Sequence, residues 1–218
     1  MIGVVIPVHN EELLLAACLR AVAQAAGHAM LNGEQVCPVV VLDACSDSSA
    51  SIAAQAGVHC LTISERNVGA ARRAGADWLL QQGARWLAST DADSLVPEDW
   101  LVRQIHSEAE VVCGTVRVTR WDEYPDAVRN LYLRLYQQRE GHRHIHGANL
   151  GVCAHAYQRA GGFPPVMAHE DVALVHALEA LGARISWTAG NSVETSARRE
   201  ARCAEGFNDY LKGLAATT

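Results

Sequence analysis

The 218-residue sequence predicts an α/β architecture, a mainly parallel central sheet flanked by helices. Two observations carry that expectation. Short β-branched runs alternate with stretches whose apolar residues recur at helical spacing, the pattern left by right-handed crossovers between parallel strands. Three of the runs then end in polar groups, at Val8-His9, Asp43 and Asp91, and a parallel sheet gathers such ends along one carboxyl edge where ligands bind. Half of the residues are hydrophobic, enough for one sizeable core, so residues 1–218 are expected to form a single domain.

In chain order, Ile2 to Val8 reads as a buried strand, and Glu11 to Ala25 as a helix with Leu14, Cys18, Leu19 and Val22 on its apolar face. Val39 to Leu42 is a second strand ending at Asp43, and Asp47-Ser48-Ser49 caps a short helix through Ile52 and Ala56. Val58 to Ile63 follows as a third strand. Asn67-Val68-Gly69 turns into a helix whose face runs Ala71, Ala74, Trp78 and Leu79. The fourth strand enters Trp86-Leu87-Ala88-Ser89-Thr90-Asp91-Ala92-Asp93-Ser94, and Pro97, Glu98 and Asp99 suit a helix start. Val111 to Val118 is a further strand and Pro125 to Gln138 an amphipathic helix. Gly147-Ala148-Asn149-Leu150-Gly151 precedes a helix over Ala154 to Ala160. Then come a turn at Gly161-Gly162-Phe163-Pro164, a helix from His169-Glu170-Asp171 through Leu181, a strand Ile185-Ser186-Trp187 and a final helix Ala204 to Leu214.

Charge and cysteine content narrow the function. A net charge of -6 and a pI near 5.9 offer no basic face for nucleic acid. Seven scattered cysteines (18, 37, 45, 60, 113, 153, 203), none in Cys-x-x-Cys spacing, indicate neither a disulfide framework nor a zinc site. Met1 leads into Ile2-Gly3-Val4-Val5-Ile6-Pro7 without a basic start, and no apolar run has bilayer length. The expectation is a cytoplasmic protein with no transmembrane segment, at most peripheral to a membrane.

Asp91 and Asp93, two apart at the end of a strand, can turn their oxygens to one hard cation. Two carboxylates with the rest of the shell left open suit Mg²⁺ or Mn²⁺ completed by a diphosphate; the alternative is a solvated turn between strand and helix. Glu170 and Asp171, in a first helical turn, are either dipole complements or functional acids.

Six ordered motifs resemble those of family 2 glycosyltransferases. They are Ile6-Pro7-Val8-His9-Asn10-Glu11, Leu42-Asp43-Ala44-Cys45-Ser46-Asp47, Asn67-Val68-Gly69-Ala70-Ala71-Arg72, Thr90-Asp91-Ala92-Asp93, Gly147-Ala148-Asn149-Leu150, and Gly161-Gly162-Phe163 with Glu170-Asp171. The resemblance implies a GT-A (Rossmann-like) fold, a nucleotide-diphosphate-sugar donor, a divalent metal (Mg²⁺ or manganese) and inverting transfer to an unknown acceptor. By the same resemblance Pro7, Asn10 and Glu11 line the nucleotide pocket, and Asp43 hydrogen-bonds the base. Arg72 helps hold the donor, Asp91 meets ribose or sugar, Asp93 ligates the metal with Asp91, and Asn149 contributes to substrate binding. Asp171 is the base, with Glu170 beside it. Residues 1–95 then form the nucleotide-binding half, 96–190 the acceptor-side half and 191–218 a C-terminal arm and helix.

Inverting transfer is a single displacement, so it needs a base and neutralisation of the leaving diphosphate but no covalent nucleophile. The cysteines are therefore assigned to the core. No Gln-x-x-Arg-Trp follows the acidic pair, which favours a single transfer over processive synthesis. A nucleotidylyltransferase would carry a Gly-rich basic loop where His9-Asn10-Glu11-Glu12 stands; a binding-only relative would have lost Asp93 or the acidic pair. His142, His144 and His146 are read as a partly exposed loop rather than as metal ligands. Arg198 or Arg199, in an otherwise acidic chain, is expected to close over the diphosphate; the alternative is a solvated loop leading into the final helix.

Overall fold

The computed structural model of the chain describes residues 1–121, 123–197 and 207–216. Its centre is a seven-stranded sheet of β1 (Ile2–Val8), β2 (Val36–Asp43), β3 (His59–Ile63), β4 (Trp86–Ser89), β5 (Val111–Arg117), β6 (Leu150–Cys153) and β7 (Ile185–Glu194), in the order β3-β2-β1-β4-β6-β5-β7. All pairings are parallel except those of β6, which runs antiparallel to both β4 and β5.

β1 and β2 are apolar without alternation because both faces of the sheet are covered. Ile2, Val4 and Ile6 pack with α1 (Leu15–Ala26), Ala53 of α2 (Ser49–Gln55) and Trp100 and Leu101 of α4 (Trp100–Ile105). Val5 and Val39 face the other way, toward Ala76 and Leu79 of α3 (Val68–Gln81), Ala156 of α6 (Ala154–Arg159) and Leu174 and Leu178 of α7 (Glu170–Ala180). A third cluster joins Val128 and Tyr132 of α5 (Asp126–Leu135) to Leu211 and Leu214 of α8 (Phe207–Ala216).

Element positions follow the sequence reading with four physical differences. α1 starts at Leu15 rather than Glu11, because residues 11–14 form a turn in which Glu11 O accepts from the backbone N–H groups of Leu14 and Leu15. β4 stops at Ser89, so Asp91 and Asp93 sit in a turn closed by Ser94 N donating to Asp91 O at 3.1 Å, not on an extended strand. β6 was not anticipated, and β7 continues past Trp187 to Glu194, with a register shift against β5 between Gly114 and Thr115. Among the described residues no helix is long and apolar enough to cross a membrane, and six cysteines are free.

Candidate active site

The carboxyl ends of β1, β2 and β4 open into a cleft of about 720 Å³, lined on the far side by residues 144–148 and by the start of α7. Pro7, Glu11, Asp43, Arg72, Asp91, Asp93, Glu170 and Asp171 all line it, so the structure brings together eight of the residues singled out from the sequence. Four non-glycine residues around this edge have left-handed backbone: Asn10 (φ 55°), Ala44 (φ 49°), Arg66 (φ 49°) and His169 (φ 61°). Such conformations cost about 1–3 kcal/mol each, and these four lie in the loops that border the cleft.

Asp43 organises the first corner. Its Oδ1 accepts from the backbone N–H groups of Glu65 and Arg66, both at 2.8 Å, and its Oδ2 from that of Asn67 at 2.7 Å. The loop between β3 and α3 is thereby curled over the end of β2. Asn67 in turn caps α3, its side-chain oxygen accepting from Ala70 N at 3.0 Å. On the opposite flank His9 Nδ1 donates to the Asp43 carbonyl at 2.7 Å, since a carbonyl only accepts.

Arg72 occupies the centre. It projects from the buried face of α3, with a side chain only 4% exposed. Its Nε donates to Glu170 Oε1 at 2.7 Å, Nη1 to Ser89 Oγ at 2.6 Å and to Gly147 O at 3.2 Å, and Nη2 to Asp91 Oδ1 at 2.6 Å. Burial opposes its charge, but the carboxylates of Asp91 and Glu170 outweigh that and hold the guanidinium firmly protonated. Gly147 is required here, because a Cβ would collide with the guanidinium. Arg72 thus stands between the carboxylates of Asp91 and Glu170 while lining the cleft in which the resemblance has it help hold the donor.

Asp171 stands at the first turn of α7. Its Oδ2 accepts from Gly147 N at 2.6 Å and its Oδ1 from Val172 N at 2.8 Å. Burial, and next the neighbouring Glu170 charge, push its pKa above the ordinary carboxylate value against the lowering pull of Arg72.

Two expected site residues are not at the cleft. Asn10 Oδ1 accepts from Ser46 N at 2.8 Å, tying the loop after β1 to the loop after β2. Asn149 is fully buried: Trp100 Nε1 donates to its Oδ1 at 2.9 Å, and its Nδ2 donates to Thr115 O and Asn191 O, each at 2.8 Å. It fastens α4 to β5 and β7, with Gly114 leaving room for its amide. Arg198 and Arg199 lie outside the described residues.

The histidine run is the partly exposed loop expected, with Arg143 exposed and His144 and His146 half-buried, but its first imidazole is not exposed. His142 is only 2% exposed, and the rings stack, His142 on His144 with centroids 5.4 Å apart and His144 on Tyr136 at 4.2 Å. The Tyr136 hydroxyl accepts from Val116 N at 3.0 Å and lies 2.9 Å from His146 Nε2. Burial, then the neighbouring imidazoles, push the His146 pKa down to about 3, so this wall is uncharged at neutral pH. Tyr136, His144 and His146 line the cleft together with His9 and Arg66. The sequence reading gave no site role to Tyr136, His9 or Arg66, and it set the alternating histidines aside only as metal ligands. Among the described residues no set of three or more His, Cys, Asp or Glu side chains is grouped to hold a metal.

A mixed sheet of this order with an acid-lined cleft beyond its carboxyl edge defines a GT-A domain. Residues 3–160 match the family described as glycosyl transferase family 2, and the chain belongs to that family. Among solved structures it is similar to S. aureus TarS 1-349 in complex with UDP-GlcNAc (14% identity, TM-score 0.68, covering 98% of this chain and 64% of that one). It is similar to the mannosyltransferase PcManGT from Pyrobaculum calidifontis in complex with GDP-Man and Mn²⁺ (16%, 0.67, 96% and 59%). A third is glucosyl-3-phosphoglycerate synthase from Mycobacterium tuberculosis with Mn²⁺, UDP and glucosyl-3-phosphoglycerate (15%, 0.63, 99% and 76%). The chain therefore spans less than two thirds of the length of the TarS and PcManGT chains. At these identities the likeness establishes the fold. No curated protein matches the chain significantly.

Proposed function

We propose that the chain is an inverting, non-processive glycosyltransferase that moves a sugar from a nucleotide-diphosphate-sugar to an acceptor hydroxyl. The observation that carries this reading is the placement of Asp171 in the same cleft as the turn bearing Asp91 and Asp93. The relatives' printed ligands, UDP-GlcNAc and GDP-Man, support the donor class.

Asp171 would take the proton of the acceptor hydroxyl as that oxygen bonds to the anomeric carbon. The bond from that carbon to the diphosphate oxygen breaks with its electron pair leaving on the diphosphate. Both Asp171 oxygens already accept a backbone N–H, which fixes the carboxylate's direction, while burial beside Glu170 strengthens it as a base. Glu170 is turned to Arg72 and acts by position.

For the metal, the residues present fit a hard divalent cation whose coordination shell is left partly open to the diphosphate. Asp93 and Asp91 line the cleft, and Arg72 engages Asp91 through Oδ1, so Oδ2 of Asp91 and the Asp93 carboxylate are the candidate oxygens. A bound Mg²⁺ or Mn²⁺ would supply positive charge to the departing diphosphate. The decisive experiment is incubation of the protein with common sugar nucleotides and Mn²⁺. Release of nucleoside diphosphate that stops in Asp171→Asn supports the reading; no release and no ligand-induced thermal shift with any donor overturns it.

A further inference from the structure

We infer that the acceptor is an uncharged alcohol with an apolar skeleton, seated on a wall of Val116, Tyr136, Ile145 and Val172 beside Asp171. The inference rests on the transferase reading above and narrows its acceptor.

The sheet order places this wall. Asp91 and Asp93 follow β4, and β6 and then β5 lie beyond β4 on the side away from β1. Gly147, in the turn that leads into β6, donates its N–H to Asp171 at 2.6 Å, so the proposed base stands over β6. The Tyr136 hydroxyl accepts from Val116 N at the end of β5, which puts the wall two strands, roughly 10 Å, from the Asp91–Asp93 turn. Turn, base and wall succeed one another along the carboxyl edge. An acceptor that brings its hydroxyl to Asp171 from the side opposite the diphosphate rests on the wall.

The chemistry of the lining changes at the base. Up to Asp93 it is polar, with Glu11, Asp43, Arg66, Asn67 and Asp91 among its side chains. Between residues 116 and 172 the described lining holds no Ser, Thr, Asn, Gln, Lys or Arg, and its only acids are Glu170 and Asp171. Val116, Ile145, Met167 and Val172 supply aliphatic and thioether surface instead. The remaining polar groups there are the Tyr136 phenol and the imidazoles of His144, His146 and His169. The phenol is engaged by Val116 N and His146 Nε2, and His144 Nε2 donates to Gln137 O at 3.2 Å, since a carbonyl only accepts. Burial, then neighbouring imidazoles, lowers the pKa of His144 and His146, which leaves this surface without charge at neutral pH.

Acceptor classes fare differently against such a wall. A sugar ring carries a hydroxyl on nearly every carbon, and those turned to the wall would lose water without regaining partners. A phosphate or carboxylate needs a cation. Among the described residues the guanidiniums lining the cleft are Arg72, committed to Asp91, Glu170, Ser89 and Gly147, and Arg66, which follows β3, five strand spacings from β5. The carboxylates of the cleft would repel such an acceptor. An apolar skeleton with one hydroxyl buries its carbon on the wall and gives its one polar group to the base. Met167, 64% exposed and with an adaptable thioether chain, extends that surface toward solvent.

The test offers acceptors to the full chain with Mn²⁺ and, in turn, UDP-glucose, UDP-GlcNAc and GDP-mannose, read as nucleoside diphosphate release and as product mass. The acceptors are naphthol and cyclohexylethanol in solution, farnesol in phosphatidylcholine vesicles, methyl glucoside, and glycerol phosphate. The best apolar alcohol should exceed methyl glucoside and glycerol phosphate in kcat/KM by roughly tenfold or more. Activity on farnesol alone assigns a membrane-borne alcohol, and activity on naphthol or cyclohexylethanol a soluble one; either supports the inference. Met167→Gln and Val172→Gln, both outside the apolar core clusters, should raise the KM of that alcohol roughly threefold or more with kcat retained. An unchanged KM in both variants, use of methyl glucoside or glycerol phosphate as good as that of the apolar alcohols, or nucleotide release that no apolar alcohol speeds would overturn the inference while leaving a transferase in place. If no donor is bound or consumed, the transferase reading falls and the inference falls with it.

Discussion

Arg72 and Glu170 form a buried ion pair, Nε to Oε1 at 2.7 Å, between side chains 4% and 6% exposed. The same guanidinium reaches Asp91, so one side chain ties the turn after β4 to the start of α7. Removing one partner of a buried pair costs about 3–5 kcal/mol because it strands the other charge. Arg72→Met is therefore expected to lower the melting temperature by roughly 10 °C, on the order of 2–4 °C per kcal/mol for a chain of this size. Arg72→Lys should recover only part of it, since a point charge cannot replace the fork. A loss of about 1 °C or less in Arg72→Met, read by calorimetry, would show that the bridge contributes little.

Asp171 and Glu170 are neighbours with separable roles. Asp171→Asn should cut transfer by at least about 10³-fold with donor affinity near wild type, which a donor titration beside single-turnover kinetics would check. The pH profile fixes the sign. Transfer needs ionised Asp171, and burial together with Glu170 raises its pKa, so activity should fall on acidification at a pH above the ordinary aspartate value of about 3.9. Glu170→Gln removes the second of those causes and should move the acid limb to lower pH. A limb that does not move, or moves up, would detach Glu170 from the base.

Asp93→Ala tests the metal without touching the core, because Asp93 lies in the turn beyond β4. Nucleoside diphosphate should bind the variant with an affinity that no longer responds to Mn²⁺, and turnover should disappear. Full activity of the wild type in excess chelator would remove the cation from the mechanism.

How much of this was legible in the sequence depends on whether a residue's role is local. β1 and β2 could be read because strands covered on both faces are apolar throughout, and α3 because Asn67 is a helix cap wherever it lies. β6 could not, since Leu150–Cys153 is four residues with a glycine and runs against its neighbours, a direction no periodicity encodes. Asp43, Asp91, Asp93 and Asp171 were readable as acids at element ends. That Arg72 serves two carboxylates was not: the motif pointed only to the donor, and its partner Glu170 is 98 positions away. Within the histidine run, the burial of His142 and the stacking of His144 were equally invisible, because they come from Trp187 and Tyr136, both outside the run.

Asn149 gives the sharpest separation between a motif and a contact. It sits in a motif that suggests substrate, yet its amide serves Trp100, Thr115 and Asn191 with no exposure to the cleft. Asn149→Ala leaves the Trp100 indole N–H and two carbonyls without this partner, and unsatisfied buried groups cost about 1–3 kcal/mol each, so a loss of about 2–4 kcal/mol is expected after partial relaxation. Asn149→Asp, though the same size, should be worse, because a buried carboxylate would face the carbonyls of Thr115 and Asn191 where the amide donated to both. Denaturant titration measures the loss, and nucleotide titration of the folded variants should give wild-type affinity. If Asn149→Ala kept full stability and lost donor binding instead, the residue would belong to the substrate site after all.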